Sequence, residues 1–214
     1  IIHRYSILHK RDELRQQYLG LLKEYDEYLK TAETKLQKEQ PNAINLPHLK
    51  QQLKSHTQYF DGLASHRALL DGLADLVDED TRKKNKKVHK QLQDRTDKIK
   101  GQSEENGLKL QHMITQWEQN EKLLEDARKT LSDLQEKEKK ATWQLKKPDD
   151  TKKQLKQWKA LQKQVAEKKA PLYQAVDKGR LLLQSVSCPS LQYDVDDISD
   201  QVGRLTNNVD SNIK

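Results

Sequence analysis

The sequence predicts an all-α protein made of two tandem left-handed three-helix bundles joined by a continuous helix. Three observations carry that prediction. Apolar residues make up only 33% of the 214 positions and charged residues 34%, too little hydrophobic material for a broad interior but enough for narrow apolar stripes on long helices. Apolar residues recur in alternating steps of three and four, the period of a helix that buries one face. The pattern of helices and breaks then repeats after slightly more than one hundred residues, the mark of a duplicated unit.

The first helix is read from Leu14, Tyr18, Leu21, Tyr25, Tyr28 and Ala32, with Leu22, Leu29 and Leu36 widening its apolar face. Pro41 through Pro47 is a loop, because two prolines six apart cannot both lie inside one helix. A second helix is expected from about Leu49 to Val77, with Leu53, Phe60, Leu63, Leu70, Leu73 and Val77 inward. The acidic-then-basic run Asp78 to Lys87 interrupts it, and a third segment begins near Val88 with Leu92, Thr96 and Ile99 in phase. No proline or turn cluster follows until Pro148, and Leu110, Met113, Trp117, Leu124, Ala127, Leu131 and Leu134 keep the period. The third helix therefore runs into a fourth, with Gly101 and Gly107 as its weak points and candidate hinge, each costing about 1 kcal/mol relative to Ala. After the break at Lys146–Asp150, a helix covers about Lys152 to Leu183. Ser187-Cys188-Pro189-Ser190 ends it, and a last helix starts near Leu191 carrying Val195, Ile198, Val202, Leu205, Val209 and Ile213.

The repeat shows in particular residues. Leu53-Lys54-Ser55-His56 and Leu155-Lys156-Gln157-Trp158 each open a middle helix, 102 residues apart, and Leu92, Thr96 and Ile99 match Ile198, Val202 and Leu205, each 106 later. Two units, 1–107 and 108–214, follow, with the boundary inside the shared helix. The stretch Leu53 to Arg67, with a leucine, a His on the next turn and a second His followed by Arg, is similar to the middle helix of spectrin repeats. Ala170-Pro171-Leu172 through Asp177-Lys178-Gly179 resembles the later part of that helix, so the chain as a whole resembles two tandem spectrin repeats. It departs from the family where a first-helix Trp is replaced by Tyr28 and by a residue near Ala127, and a third-helix Trp by Thr96 and Val202. Degenerate repeats of this kind resemble those of giant cytoskeletal linkers, nesprin-like slightly ahead of dystrophin-like or plakin ones. The resemblance implies a non-catalytic spacer and docking module, cytoplasmic and cytoskeletal, at the outer nuclear envelope if nesprin-like. It further implies cytoskeletal or actin-regulatory partners, formins for example. The chain opens Ile1-Ile2-His3 with no initiator Met and is read as a monomeric fragment of something longer.

Little in the sequence points to chemistry. Slender helical bundles rarely supply a pocket with convergent polar groups, and the seven His show no metal-ligand spacing; no catalysis, metal or cofactor is expected. His56 and His66 share a helix face and are expected to pack at the seam with a solvated ring edge. The single Cys188 fits a reducing compartment and an incidental thiol. Trp117 is expected in the core, Trp158 partly buried, and Trp143 packed under its own loop. No run approaches the about 20 apolar residues of a membrane span.

Charge is the sharper clue. The net +7 divides into +3 over 1–107 and +4 over 108–214. Arg82, Lys83, Lys84, Lys86, Lys87 and Lys90 form one cluster without an acid. Ten Lys between Lys137 and Lys163, among them Lys146, Lys147, Lys152 and Lys153, form another. Up-down-up topology brings His3, Arg4, His9, Lys10 and Arg11 near the first cluster and places the second at the opposite tip, on the order of 90–100 Å away at 1.5 Å per helical residue. Such clusters are either solvated tips or docking surfaces for an acidic protein or an anionic membrane surface. Nucleic acid is not expected, since the clusters lack interleaved aromatics except near Trp143. A membrane-curving helical dimer of the BAR type is the rival reading. The repeat and the prolines at equivalent places in both halves argue against it.

Overall fold

The computed structural model describes residues 2–40, 43–144 and 151–213, and these form five α-helices with no strand among them. In chain order they are α1 (Ile2–Lys38), α2 (Leu46–Leu76), α3 (Glu79–Gln144), α4 (Thr151–Leu183) and α5 (Pro189–Ser211). The protein is all-α.

Helix starts are set by capping side chains that hydrophobic period alone does not register. Asn45 caps α2, its Oδ1 accepting the His48 N–H at 2.8 Å. Pro47 then sits in the first turn, where a missing N–H costs nothing, so α2 begins three residues ahead of Leu49. At the next junction the Asp78 carboxylate accepts both the Thr81 N–H (2.9 Å) and the Thr81 hydroxyl (2.8 Å). Those bonds, the backbone one foremost, hold the Asp78 carboxyl below the usual carboxylate range. With Glu79 and Asp80 favourable beside the positive end of the helix dipole, α3 starts at Glu79 instead of near Val88. The run from Arg82 to Lys87 is therefore the second and third turns of a helix, not a break. α5 has Cys188 in extended conformation before it and Pro189 at its start, without a side-chain cap.

α3 is helical for 66 residues, through both Gly101 and Gly107. The chain divides into two compact units, Ile1–Gln40 with Lys50–Gln111, and Pro41–Leu49 with His112–Lys214. The division within α3 thus falls at Gln111, a turn beyond Gly107. The described residues 43–49 group with the second unit, which their position in the chain does not suggest.

In the first unit α1, α2 and the first half of α3 touch pairwise. The buried stripe of α1 is Tyr18, Leu22, Tyr25, Leu29, Ala32 and Leu36, while Leu14, Leu21 and Tyr28 are only partly buried. The stripe is rotated from the Leu14–Leu21–Tyr28 phase toward the three leucines expected only to widen it. Both sets keep a three-four period and share Tyr18, Tyr25 and Ala32, so only the partners across the interface decide between them. Phe60, Leu63, Leu70, Ala74 and Val77 of α2 and Leu92 and Ile99 of α3 complete this core. Two hydrogen bonds tie α1 to α3 at the same separation, Tyr18 to His89 and Tyr25 to Thr96, each 71 residues apart, so the two helices run parallel in fixed register. That register sets Arg11 level with Arg82 and Leu8 level with the first residue of α3. Exposed Tyr5, Ile7 and Leu8 lie at or before that start, where α3 offers them no cover.

In the second unit α4 and α5 pack on the second half of α3. Its core holds Trp117, Leu124, Leu131, Leu134, Trp158, Leu161, Val165, Leu172, Val176, Val195, Ile198, Val202 and Leu205. Asn120, buried among them, donates to the Ala175 carbonyl at 3.2 Å. Gly179 is required by close approach: a Cβ there would lie 2.4 Å from Val195 Cγ2.

Candidate functional site

The basic residues of the first cluster are all exposed on α3, but one face of the helix gathers most of them. Glu79, Arg82, Lys83, Lys86, His89, Lys90 and Gln93 recur every three or four residues and so share a side of the helix. Together with Tyr18 of α1 and Ala74 of α2 they line a cavity of about 390 Å³. Four of the six expected docking residues, Arg82, Lys83, Lys86 and Lys90, come together there. Lys84 and Lys87 do not; they are exposed but outside the cavity lining.

The floor is a hydrogen-bonded chain. His89 Nε2 donates to Asp71 Oδ1 at 2.7 Å, which leaves Nδ1 to accept the Tyr18 hydroxyl proton at 2.9 Å. Gln93 donates to the same Asp71 oxygen at 2.9 Å, and the Arg67 guanidinium stands 3.7 Å from the other. Tyr18 is fully buried; burial first, and the Asp71 charge second, push its hydroxyl above its ordinary pKa. Above this floor the charges are less balanced. Lys83 pairs with Glu79 at 2.7 Å, whereas Arg82, Lys86 and Lys90 make no ion pair among the described residues.

The second cluster differs. Lys146 and Lys147 lie outside the described residues, and Lys152 and Lys153 are exposed in the first turn of α4. A cavity of about 300 Å³ nearby is lined by Lys137, Lys140, Ala141, Gln157, Ala160, Leu161 and Gln164. Its two lysines already have partners: Lys137 donates to Gln164 at 2.9 Å and Lys140 pairs with Glu136 at 2.7 Å. The cations lining the α3 cavity are accordingly less committed to partners than the two lysines here.

Other expected positions resolve individually. His56 has no solvated edge. It is 3% exposed, with Nδ1 2.5 Å from Glu39 Oε2 and Nε2 2.8 Å from the Ser103 carbonyl, because Glu39 and α3 close over both sides of the ring. His66 is partly buried, bonded to the Gly62 carbonyl at 2.7 Å and stacked on Tyr28. Trp117 is buried as expected, and Trp158 is buried more fully than expected. Trp143 is 65% exposed, and the loop expected to cover it lies outside the described residues. Cys188 is buried, 3.3 Å from the Ser190 hydroxyl. Gly101 has open space where a Cβ would stand, and at Gly107 a Cβ would rest 3.7 Å from the His56 ring, an ordinary contact. Among the described residues no three His, Cys, Asp or Glu side chains gather as a metal would need, and no helix is long and apolar enough to cross a membrane.

The site's cationic half was visible in the sequence once α3 starts at Glu79, since Arg82, Lys86, Lys90 and Gln93 are then in helical phase. Tyr18, Ala74 and Asp71 come from other helices and carry no local signal. No protein-family model matches the chain, and no solved structure matches it.

Proposed function

We propose that this chain is a non-catalytic structural spacer and protein-docking module, built as two tandem left-handed three-helix bundles of the spectrin-repeat kind and forming part of a giant cytoskeletal linker. The nesprin-like subfamily is preferred on the sequence resemblance alone. Such a linker connects the nuclear envelope with actin, and its docked partner is an actin regulator such as a formin. The observation that carries the spacer reading is α3, a single helix of 66 residues that supplies core side chains to both units. A helix shared in this way makes unfolding of one unit costly to the other. The docking part is supported by the open basic face of α3, which suits an acidic partner surface.

The test uses Gly107→Pro, which breaks the backbone ladder inside α3. All three Trp lie in the second unit, whereas five of the seven Tyr, with every buried hydroxyl that bridges helices, lie in the first. Tyr and Trp signals should melt together in the parent chain and apart in Gly107→Pro. Two separate transitions in the parent chain would remove the spacer reading. Capture of cytoskeletal partners that survives neutralising Arg82, Lys86 and Lys90 would remove the docking reading. A molar mass of two chains together with sedimentation on anionic liposomes would instead favour the BAR-type dimer.

A further inference from the structure

We propose that the cavity at the start of α3 is a binding site for a compact anion carrying two or more phosphate groups on a polyol scaffold, such as an inositol phosphate. The inference deepens the docking part of the reading above and rests on that face being open; the spacer part is independent of it.

Charge comes first. The lining holds Arg82, Lys83, Lys86 and Lys90 against Glu79 alone, a net +3, and Glu79 is already tied to Lys83. Asp71 lies behind His89 and is committed to His89 and Gln93, with Arg67 beside it. Asp78 is committed to Thr81, and Asp80 does not line the cavity. Each phosphate monoester carries about −1.5 to −2 at neutral pH, so two of them balance this lining, whereas two carboxylates leave a cation unmatched. The three cations without ion pairs carry this attraction.

Spacing is the second argument. Arg82 to Lys90 covers eight residues, about 12 Å along the helix axis at 1.5 Å each. The oxygens of a single phosphate cannot reach cations spread over that distance; a scaffold with separated phosphates can. Arg contributes a bidentate fork and the lysines point charges, the usual pairing for phosphate oxygens. The volume of about 390 Å³ is that of a small-molecule site and far exceeds one phosphate.

The free ligand and a phosphoinositide headgroup share this chemistry. The full chain is titrated by calorimetry with inositol trisphosphate and, separately, sedimented with phosphatidylcholine vesicles carrying phosphatidylinositol bisphosphate or, at matched charge, phosphatidylserine. Saturable one-to-one binding is expected, weakened about tenfold or more by Lys86→Gln/Lys90→Gln. Lys84→Gln/Lys87→Gln, which removes the same charge outside the cavity, should leave it unchanged. Unaltered melting of both variants without ligand confirms that they fold. Binding to bisphosphate vesicles but not serine vesicles, competed by the soluble ligand, assigns a lipid source; binding of the soluble ligand alone assigns a free one. The proposal is overturned if inositol trisphosphate does not bind, if both double variants lose equal affinity, or if an acidic peptide competes as well as the phosphates. Failure here with partner capture intact would leave the docking reading standing, and loss of capture with phosphate binding intact would overturn that reading alone.

Discussion

The two units bury their helices by different means. In the first, α1 and α3 are joined by polar groups inside the core. The Tyr25 hydroxyl meets Thr96 Oγ1 at 2.6 Å, and since Thr96 gives its own proton to the Leu92 carbonyl, Tyr25 is the donor. Tyr28 donates to the Tyr59 carbonyl at 3.0 Å and stacks on His66, while His56 and His89 each bridge two other side-chain or backbone groups. Outside this core Arg95 grips Asp26 at 2.5 Å and Glu33 at 2.9 Å. The second unit has an aliphatic and tryptophan core in which Asn120 is the main polar element, and its tightest feature is steric, the approach of Val195 to Gly179. Direction-dependent hydrogen bonds fix register in the first unit and shape fixes it in the second. The first is thereby open to titration, the second to changes of volume.

The sharpest way to break this contrast is Gly179→Val. Its Cβ meets Val195 at 2.4 Å, so something must shift, and overpacking costs about 1–3 kcal/mol or more. Trp fluorescence should report a lower midpoint in denaturant; an unchanged midpoint would mean the helices separate freely there. The next effect is alkaline. Burial raises the pKa of Tyr18, Tyr25, Tyr28 and Tyr59 above their ordinary 10.0, so above that pH the unfolded chain releases protons first and stability falls. Titration past pH 10 should therefore unfold the chain from the first unit's side, with tyrosinate absorbance and the Trp signal changing at the same pH because α3 is common to both units. An earlier Trp change would reverse the contrast.

Two smaller substitutions sharpen it. Tyr25→Phe removes a buried hydrogen bond and should cost about 0.5–1.5 kcal/mol. Tyr59→Phe should cost nothing or stabilise, because the Tyr59 hydroxyl is buried without a hydrogen-bond partner among the described residues. Equal losses in thermal melts would refute the distinction. Smallest is Gly101→Ala, alone or with Gly107→Ala. Neither methyl meets a close obstacle, so each should add about 0.5–1 kcal/mol of stability by helix propensity. A decrease would show that flexibility at those points is used.

Much of this was legible before any coordinates. The buried positions of α5 and of the second half of α3 follow their three-four periods, because a helix that packs on one side has to carry its apolar residues there. The misreadings occur where the period is degenerate or where side chains act on the backbone. The α1 stripe turned toward Leu22 and Leu29 because two apolar sets satisfy the same period. The start of α3 moved to Glu79 because Asp78 and Thr81 cap it, a local signal present in the sequence but outweighed there by the charge run that follows.

By itself the sequence determined an all-α chain, a duplicated pattern and a basic run between Arg82 and Lys90, since each is written in neighbouring residues. Only the tertiary structure decided that four of those basic residues face one cavity, that Tyr18 and His89 form its floor above Asp71, and that His56 is enclosed. Those contacts join residues up to 71 apart in the chain. They depend on how helices are rotated against each other, which a local period leaves open.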